Sequence, residues 1–229
     1  MSADFKEGVR DSIGFGVGFI FLYLSIGILG FTQSFSFLQT LATTLLIFST
    51  PLQFLLIQSA NNVWVLVPVI LALNARFLLM SGTLVPYMKG IRILKIIPAL
   101  ILIVPSIFTG CIVRFRKNRQ NAFLYFLGLG TPIYCISIFC TIVGFVISAQ
   151  LKSPILYAMM DIVLPLQFTA LAAKHWPDHL YVISYWAGFL LTPILVYVFH
   201  NYNLLITPFV IGGATVLFEN QLKKHRSAL

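Results

Sequence analysis

The chain has 229 residues, 59% of them hydrophobic and 9% charged, with a formal net charge of +9. A water-soluble domain carries roughly a quarter of its residues as charges, so this composition excludes that class and points to a bilayer. The basic residues sit in short connections between apolar runs, not along one face with interleaved aromatics, which argues for membrane topology and against nucleic-acid binding.

A charged leader, Asp4-Phe5-Lys6-Glu7-Gly8-Val9-Arg10-Asp11, precedes the first apolar run, Ile13 to Phe31. It lacks the net-positive start and small-residue cleavage site of a signal peptide, so the run reads as a retained helix. Apolar segments follow at Phe37 to Ile57, Val63 to Val85, Ile96 to Val113, Phe123 to Ser148, Ile155 to Ala173, Leu180 to Phe199 and Leu204 to Phe218. Their length and continuity predict helices. Turn residues or charges separate them, as at Gln58-Ser59-Ala60-Asn61-Asn62 and His175-Trp176-Pro177-Asp178.

Ile96 to Val113 is short, contains Pro98 and Pro105, and is flanked by Lys89, Arg92 and Lys95 before it and Arg114, Arg116, Lys117 and Arg119 after it. The preference of Lys and Arg for the cytoplasmic side is met if the segment enters and leaves on one face. The expectation is an all-α polytopic membrane helix bundle with about seven full spans plus one short or re-entrant segment. Residues 1–229 form a single integral membrane domain in this reading. The N-terminus lies outside, and the C-terminus, with Lys223, Lys224 and Arg226, lies inside. Eight full spans are the alternative, with one basic loop outside.

Pro-Leu-Gln-Phe occurs at Pro51 to Phe54 and again at Pro165 to Phe168, an offset of 114 residues. The same offset pairs Gly14 with Gly128, Gly16 with Gly130, Gly30 with Gly144 and Phe31 with Phe145. These matches predict an internal repeat, with halves of about 12–113 and 121–227, inverted if the span count is seven. The glycines let helices approach closely in lipid.

A proline within an apolar span frees carbonyls that need partners, so Pro51 and Pro165 predict helix breaks. Gln53 and Gln167 place a donor and an acceptor at those breaks, next to Phe54 and Phe168. Arg76, in Asn74-Ala75-Arg76-Phe77, lies well inside a span, where a cation requires a wet cavity, a counter-charge or a ligand. Asp161 is the one acid far from a terminus that also falls within an apolar segment. Arg76 and Asp161 suit either an ion pair that locks the bundle or the two charged groups of an amino acid. Cys111, Cys135 and Cys140 have no Cys-x-x-Cys spacing, and His175, His179, His200 and His225 lie at or beyond segment ends, so neither a metal nor another cofactor is expected.

Lys6-Glu7-Gly8-Val9-Arg10-Asp11 before a Gly-rich span, Ser49-Thr50-Pro51-Leu52-Gln53-Phe54, Asn74-Ala75-Arg76-Phe77-Leu78-Leu79-Met80 and Asp161-Ile162-Val163-Leu164-Pro165-Leu166-Gln167-Phe168 together resemble the AzlC family over nearly the whole chain. The resemblance implies the large subunit of a two-component exporter of branched-chain amino acids, assembled with a small AzlD-type membrane subunit. The chain departs from the family pattern in three places. Ser49-Thr50-Pro51-Leu52 replaces a Gly-Ala-Ser lead, Phe77 stands where a His is common, and the region around Val104 to Phe108 lacks the family's Asp-Glu element.

The functional expectation is a multi-pass subunit of the inner (plasma) membrane that exports amino acids of the Leu, Ile, Val and Met class by alternating access. Gln53, Phe54, Asn74, Arg76, Asp161, Gln167 and Phe168 line the substrate site. A passive channel or facilitator and a non-transporting scaffold are the alternatives. No phosphate-binding Gly-x-x-x-x-Gly-Lys-Ser/Thr loop is present, so coupling rests on an ion or substrate gradient. No enzymatic constellation lies at membrane depth.

Overall fold

The structure, a computed structural model, describes residues 3–58, 63–88, 90–117, 121–151, 162, 166, 169, 179–199, 210–215 and 217. In chain order the helices are α1 (Ala3–Thr32), α2 (Phe37–Leu46), α3 (Thr50–Gln58), α4 (Val63–Leu84), α5 (Ile93–Ala99), α6 (Pro105–Lys117), α7 (Ala122–Leu151) and α8 (His179–Phe199). Short 3-10 turns follow α4 at Val85–Tyr87 and α5 at Leu100–Leu102. Among the described residues there is no strand.

The chain forms two compact units, Met1–Asn61 with Leu73–Val163, and Asn62–Ala72 with Leu164–Leu229. Their boundaries do not follow the halves of the repeat. In the second unit, α8 packs on the helical residues 210–215: Ser184 Oγ donates to Thr215 Oγ1 at 3.1 Å, and Gly188 lies against Ile211.

The first unit is built on α1 and α7, each 30 residues long and apolar enough to cross a bilayer. At 1.5 Å per residue such a helix measures about 45 Å, longer than the hydrocarbon core. The two helices pack backbone to backbone at glycines. Gly8 faces the Tyr125 to Leu129 backbone, Gly128 faces Phe5, Gly27 faces Thr141 and Phe145, and Gly144 faces Leu24. Residue numbers rise together along both helices, so α1 and α7 run parallel. These are the helices that the 114-residue offset aligns, and they are therefore not inverted relative to each other. A Cβ at Gly14 or Gly16 would meet nothing within 4 Å; the close approach of the two backbones belongs to Gly8 and Gly27 instead.

The N-terminal end of this pair is charged. Arg114 donates from Nε and Nη2 to both oxygens of Glu7 at 2.8 Å, and from Nη2 to Asp4 at 3.2 Å. Asn121 Nδ2 donates to Asp4 at 2.8 Å and the Tyr125 hydroxyl to Asp11 at 2.9 Å. The basic end of α6 and the N-terminal end of α1 thus lie at one end of the unit. This corrects the expectation that places them on opposite sides of the membrane.

The α5–α6 segment folds back on itself within this unit, so that both of its ends lie at the charged end. It starts at the charged end, where Arg92 and Lys95 share a cavity with Asn121 to Leu124. It reaches Leu102 beside Gly130, then returns past Gly110, which lies against Leu129 and Phe15, to Phe115 against Tyr87 and Tyr125. Pro105 occupies the first position of α6, where a missing N–H costs nothing.

Phe37 to Ile57 differs from expectation, since it is not one continuous span. Ser36 and Gln39 form a reciprocal capping box that starts α2 at the end opposite the charges, near Phe145. The helix stops at Ile47, and Phe48 has φ 41°, a left-handed value rare for a bulky side chain. A new helix starts at Thr50, and Gln53 Nε2 lies 3.3 Å from Thr44 Oγ1. Nine residues of straight helix would separate the two by about 13 Å, farther than these side chains reach. The chain therefore turns back at Phe48, and α2–α3 is a second hairpin, which starts from the end opposite the charges. Its tip, Phe48, packs on Phe19, Tyr23 and Tyr134 at centroid distances of 6.2, 5.5 and 4.9 Å. Leu102 touches α7 at Gly130, one turn from Tyr134, so the two hairpins reach similar depths.

Candidate functional site

The break at Ile47 to Ser49 brings together three of the four buried, unpartnered polar atoms among the described residues; the fourth, Ser148 Oγ, lies near the far end of α7. Pro51 causes the break indirectly: in a continuous helix its ring would meet the Ile47 carbonyl and its absent N–H would orphan that acceptor. The break falls just before the proline, which then sits in the first turn of α3. Helix termini leave the last carbonyls of α2 and the first N–H groups of α3 without intrahelical partners. Tyr134 satisfies one of them by donating its hydroxyl to the Leu45 carbonyl at 2.8 Å.

Gln53 is fully buried, and its Oε1 has no hydrogen-bond partner among the described residues. Its amide end donates to Thr44, which pairs with Thr141 of α7 at 3.0 Å. Tyr23, also fully buried, points its hydroxyl toward Thr50 without closing a hydrogen bond of ordinary geometry. Arg76 Nη2 donates to Ser49 Oγ at 3.2 Å, while its Nε is buried and has no partner among the described residues. Phe77 lies beneath the guanidinium, 4.9 Å from ring centroid to Cζ. A buried acceptor, a buried hydroxyl and a cation nitrogen thus lie unsatisfied along one hairpin. Each such orphan costs about 1–3 kcal/mol, which native interiors seldom tolerate without a functional reason.

Of the residues expected to form the site, the structure brings Gln53 and Arg76 to the α2–α3 break. Phe54 is buried on α3. Asn74 is half-buried on α4, and two residues along a helix do not face one way, so it is not grouped with Arg76. Asp161, Pro165, Gln167 and Phe168 lie outside the described residues. Sequence reading missed Tyr23, Thr44, Ser49, Tyr134 and Thr141. Hydroxyls inside apolar runs commonly bond their own helix, as Ser25 does to the Leu22 carbonyl and Thr141 to that of Ser137, so nothing in the pattern marks those that also reach another element.

Among the described residues no group of His, Cys, Asp and Glu is arranged to hold a metal ion, and Cys111, Cys135 and Cys140 are free thiols. The clustered acids, Asp4, Glu7 and Asp11, belong to the charged end. There, ahead of the apolar run, the Arg114 hydrogen bond holds the Glu7 carboxyl below the usual carboxylate range.

A family model described as AzlC protein matches residues 14–151, more than half of the chain. The match takes in the hairpin α2–α3, Arg76 and the hairpin α5–α6. No curated protein and no solved structure matches the chain.

Proposed function

We propose a function from the premise that this chain belongs to the AzlC family, a family associated with branched-chain amino acid transport. In this reading it is the large subunit of a secondary exporter of branched-chain or similar apolar amino acids, resident in the inner (plasma) membrane. The observation that carries the reading is the broken hairpin with its unsatisfied Gln53 Oε1, Tyr23 hydroxyl and Arg76 Nε. An amino acid presents a carboxylate and an ammonium about two bonds apart. Arg76 and the free N–H groups opening α3 suit the carboxylate, while Gln53 Oε1 and the free carbonyls closing α2 suit the ammonium. Phe48 and Phe54 offer apolar surface to the substrate side chain.

The charged end is assigned to the cytoplasm, because Lys6, Arg10, Arg92, Lys95, Arg114 and Arg116 collect there. The two re-entrant hairpins then approach the same depth from opposite faces. Movement of either one opens the break to its own side, which is the requirement of alternating access. A small AzlD-type subunit is proposed to dock in the apolar groove between α1 and α7 that is bounded by Ile13, Val17, Ile133 and Ile136.

Opposed hairpins also suit a passive pore, and transport kinetics decide between the two. Reconstituted with its small subunit, the chain should take up labelled leucine faster when the lumen holds unlabelled leucine, with saturation. Flux that rises without plateau and ignores trans leucine would support the pore. Absence of leucine flux in either form would remove the amino-acid reading.

A further inference from the structure

We infer that the charged end carries a binding site for an anionic phospholipid, separate from the broken hairpin. A cavity of about 690 Å³ opens between the α5 segment and the start of α7, lined by Tyr87, Arg92, Lys95, Asn121, Phe123 and Leu127 among others. Its volume falls in the range of small-molecule pockets and accommodates a glycerophosphate headgroup.

Among the described residues the charge of the cavity is uncompensated. The acids of this end are already engaged: Asp4 and Glu7 with Arg114, Asp4 also with Asn121, and Asp11 with Tyr125. Among the described residues neither Arg92 nor Lys95 forms an ion pair. Two unneutralised cations on one wall call for an anion with oxygen acceptors, and a phosphodiester supplies them.

The surroundings of the cavity select a lipid over a soluble phosphate. Lys95 rides on a short helix whose Ile93, Leu94 and Ile97 are 66%, 78% and 56% exposed, and Leu124 on the opposite wall is 37% exposed. Arg92, at the N-cap, and Lys95 are exposed as well and line the cavity, and a short helix that carries exposed apolar side chains beside exposed cations belongs at the headgroup boundary of a bilayer. A headgroup seated on Arg92 and Lys95 leaves its acyl chains free to run along Leu124 and Leu127 into the hydrocarbon. Basic pockets between membrane helices on the cytoplasmic side are suited to such headgroups. The assignment rests on the cavity and its charges, not on what the broken hairpin carries.

The test uses the purified full chain in neutral detergent. Native mass spectrometry with equimolar phosphatidylglycerol and phosphatidylcholine should show preferential retention of phosphatidylglycerol. Each of Arg92→Gln and Lys95→Gln should weaken that retention about fivefold. Arg116→Gln, an exposed cation at the same end that does not line the cavity, should leave it unchanged. Equal retention of the two lipids by the wild-type chain overturns the inference without recourse to any variant. So does an equal loss in Arg116→Gln, which would signify attraction to the basic surface as a whole. Glycerol phosphate that displaces phosphatidylglycerol at equal concentration would show a free-phosphate site instead, and would also overturn it.

Discussion

At the scale of single residues, the site is defined by groups that are buried and unsatisfied. Replacing Gln53 by Leu removes one hydrogen bond to Thr44, a loss of about 0.5–1.5 kcal/mol, together with an orphan acceptor whose burial costs about as much. The melting temperature of Gln53→Leu should therefore stay close to the wild-type value while leucine counterflow is lost. Arg76→Gln should likewise stop transport, and the chain should still assemble with the proposed small subunit. Unchanged flux would remove Arg76 from the site. Arg114 gives the opposite pattern. It is fixed by two carboxylates at the charged end, so Arg114→Ala should lower the melting temperature by leaving Asp4 and Glu7 without their partner. The pH dependence follows from Glu7. Its carboxyl is held below the usual value by Arg114, so its contribution to stability is present above the unfolded value of about 4.3 and is lost as pH falls through the lower folded value. Melting curves should show that acid-side loss in the wild-type chain and a smaller one in Glu7→Gln.

At the scale of elements, the sequence displays its helices and conceals their breaks and returns. Apolar run lengths give α4, α7 and α8 within a few residues, because a bilayer enforces continuous helix over a known thickness; α1 starts ten residues before its apolar run, at Ala3, since the charged leader is helical too. Two flanking basic clusters make the α5–α6 return legible. No such clusters flank α2–α3, and Pro51 announces a break without saying whether the chain continues or doubles back. Only the Gln53 to Thr44 contact decides that, and a contact across nine positions has no local signature. The packing glycines follow the same logic. Gly-to-Gly spacing marks Gly128 and Gly144 correctly, while Gly14 and Gly16 face open space and Gly8 and Gly27 carry the contact. A Cβ at Gly27 or Gly144 would collide with the backbone of the opposite helix, which cannot yield as a flexible side chain does. Gly27→Leu and Gly144→Leu should prevent recovery of folded protein from detergent extracts, whereas Gly14→Ala should be recovered at the wild-type level.

At the scale of the whole molecule, the duplicated motif and the orientation of its copies are separate questions. Shared residues at one offset are visible in sequence. Direction in a membrane depends on how many segments in between cross it, and one misjudged hairpin reverses everything downstream. Counting Phe37 to Ile57 as a crossing segment makes α1 and α7 antiparallel. Counting it as re-entrant makes them parallel, as their glycine contacts require, and places the N-terminus beside the basic end of α6. The proposed export activity depends on one feature of this arrangement, a helix interrupted within the unit with polar groups left for a guest. Calorimetric titration of leucine into the purified complex, with wild-type chain and with Gln53→Leu matched in melting temperature, tests that feature most directly. Saturable heat with the wild-type chain and none with the variant is the predicted result; the same affinity in both would contradict the account.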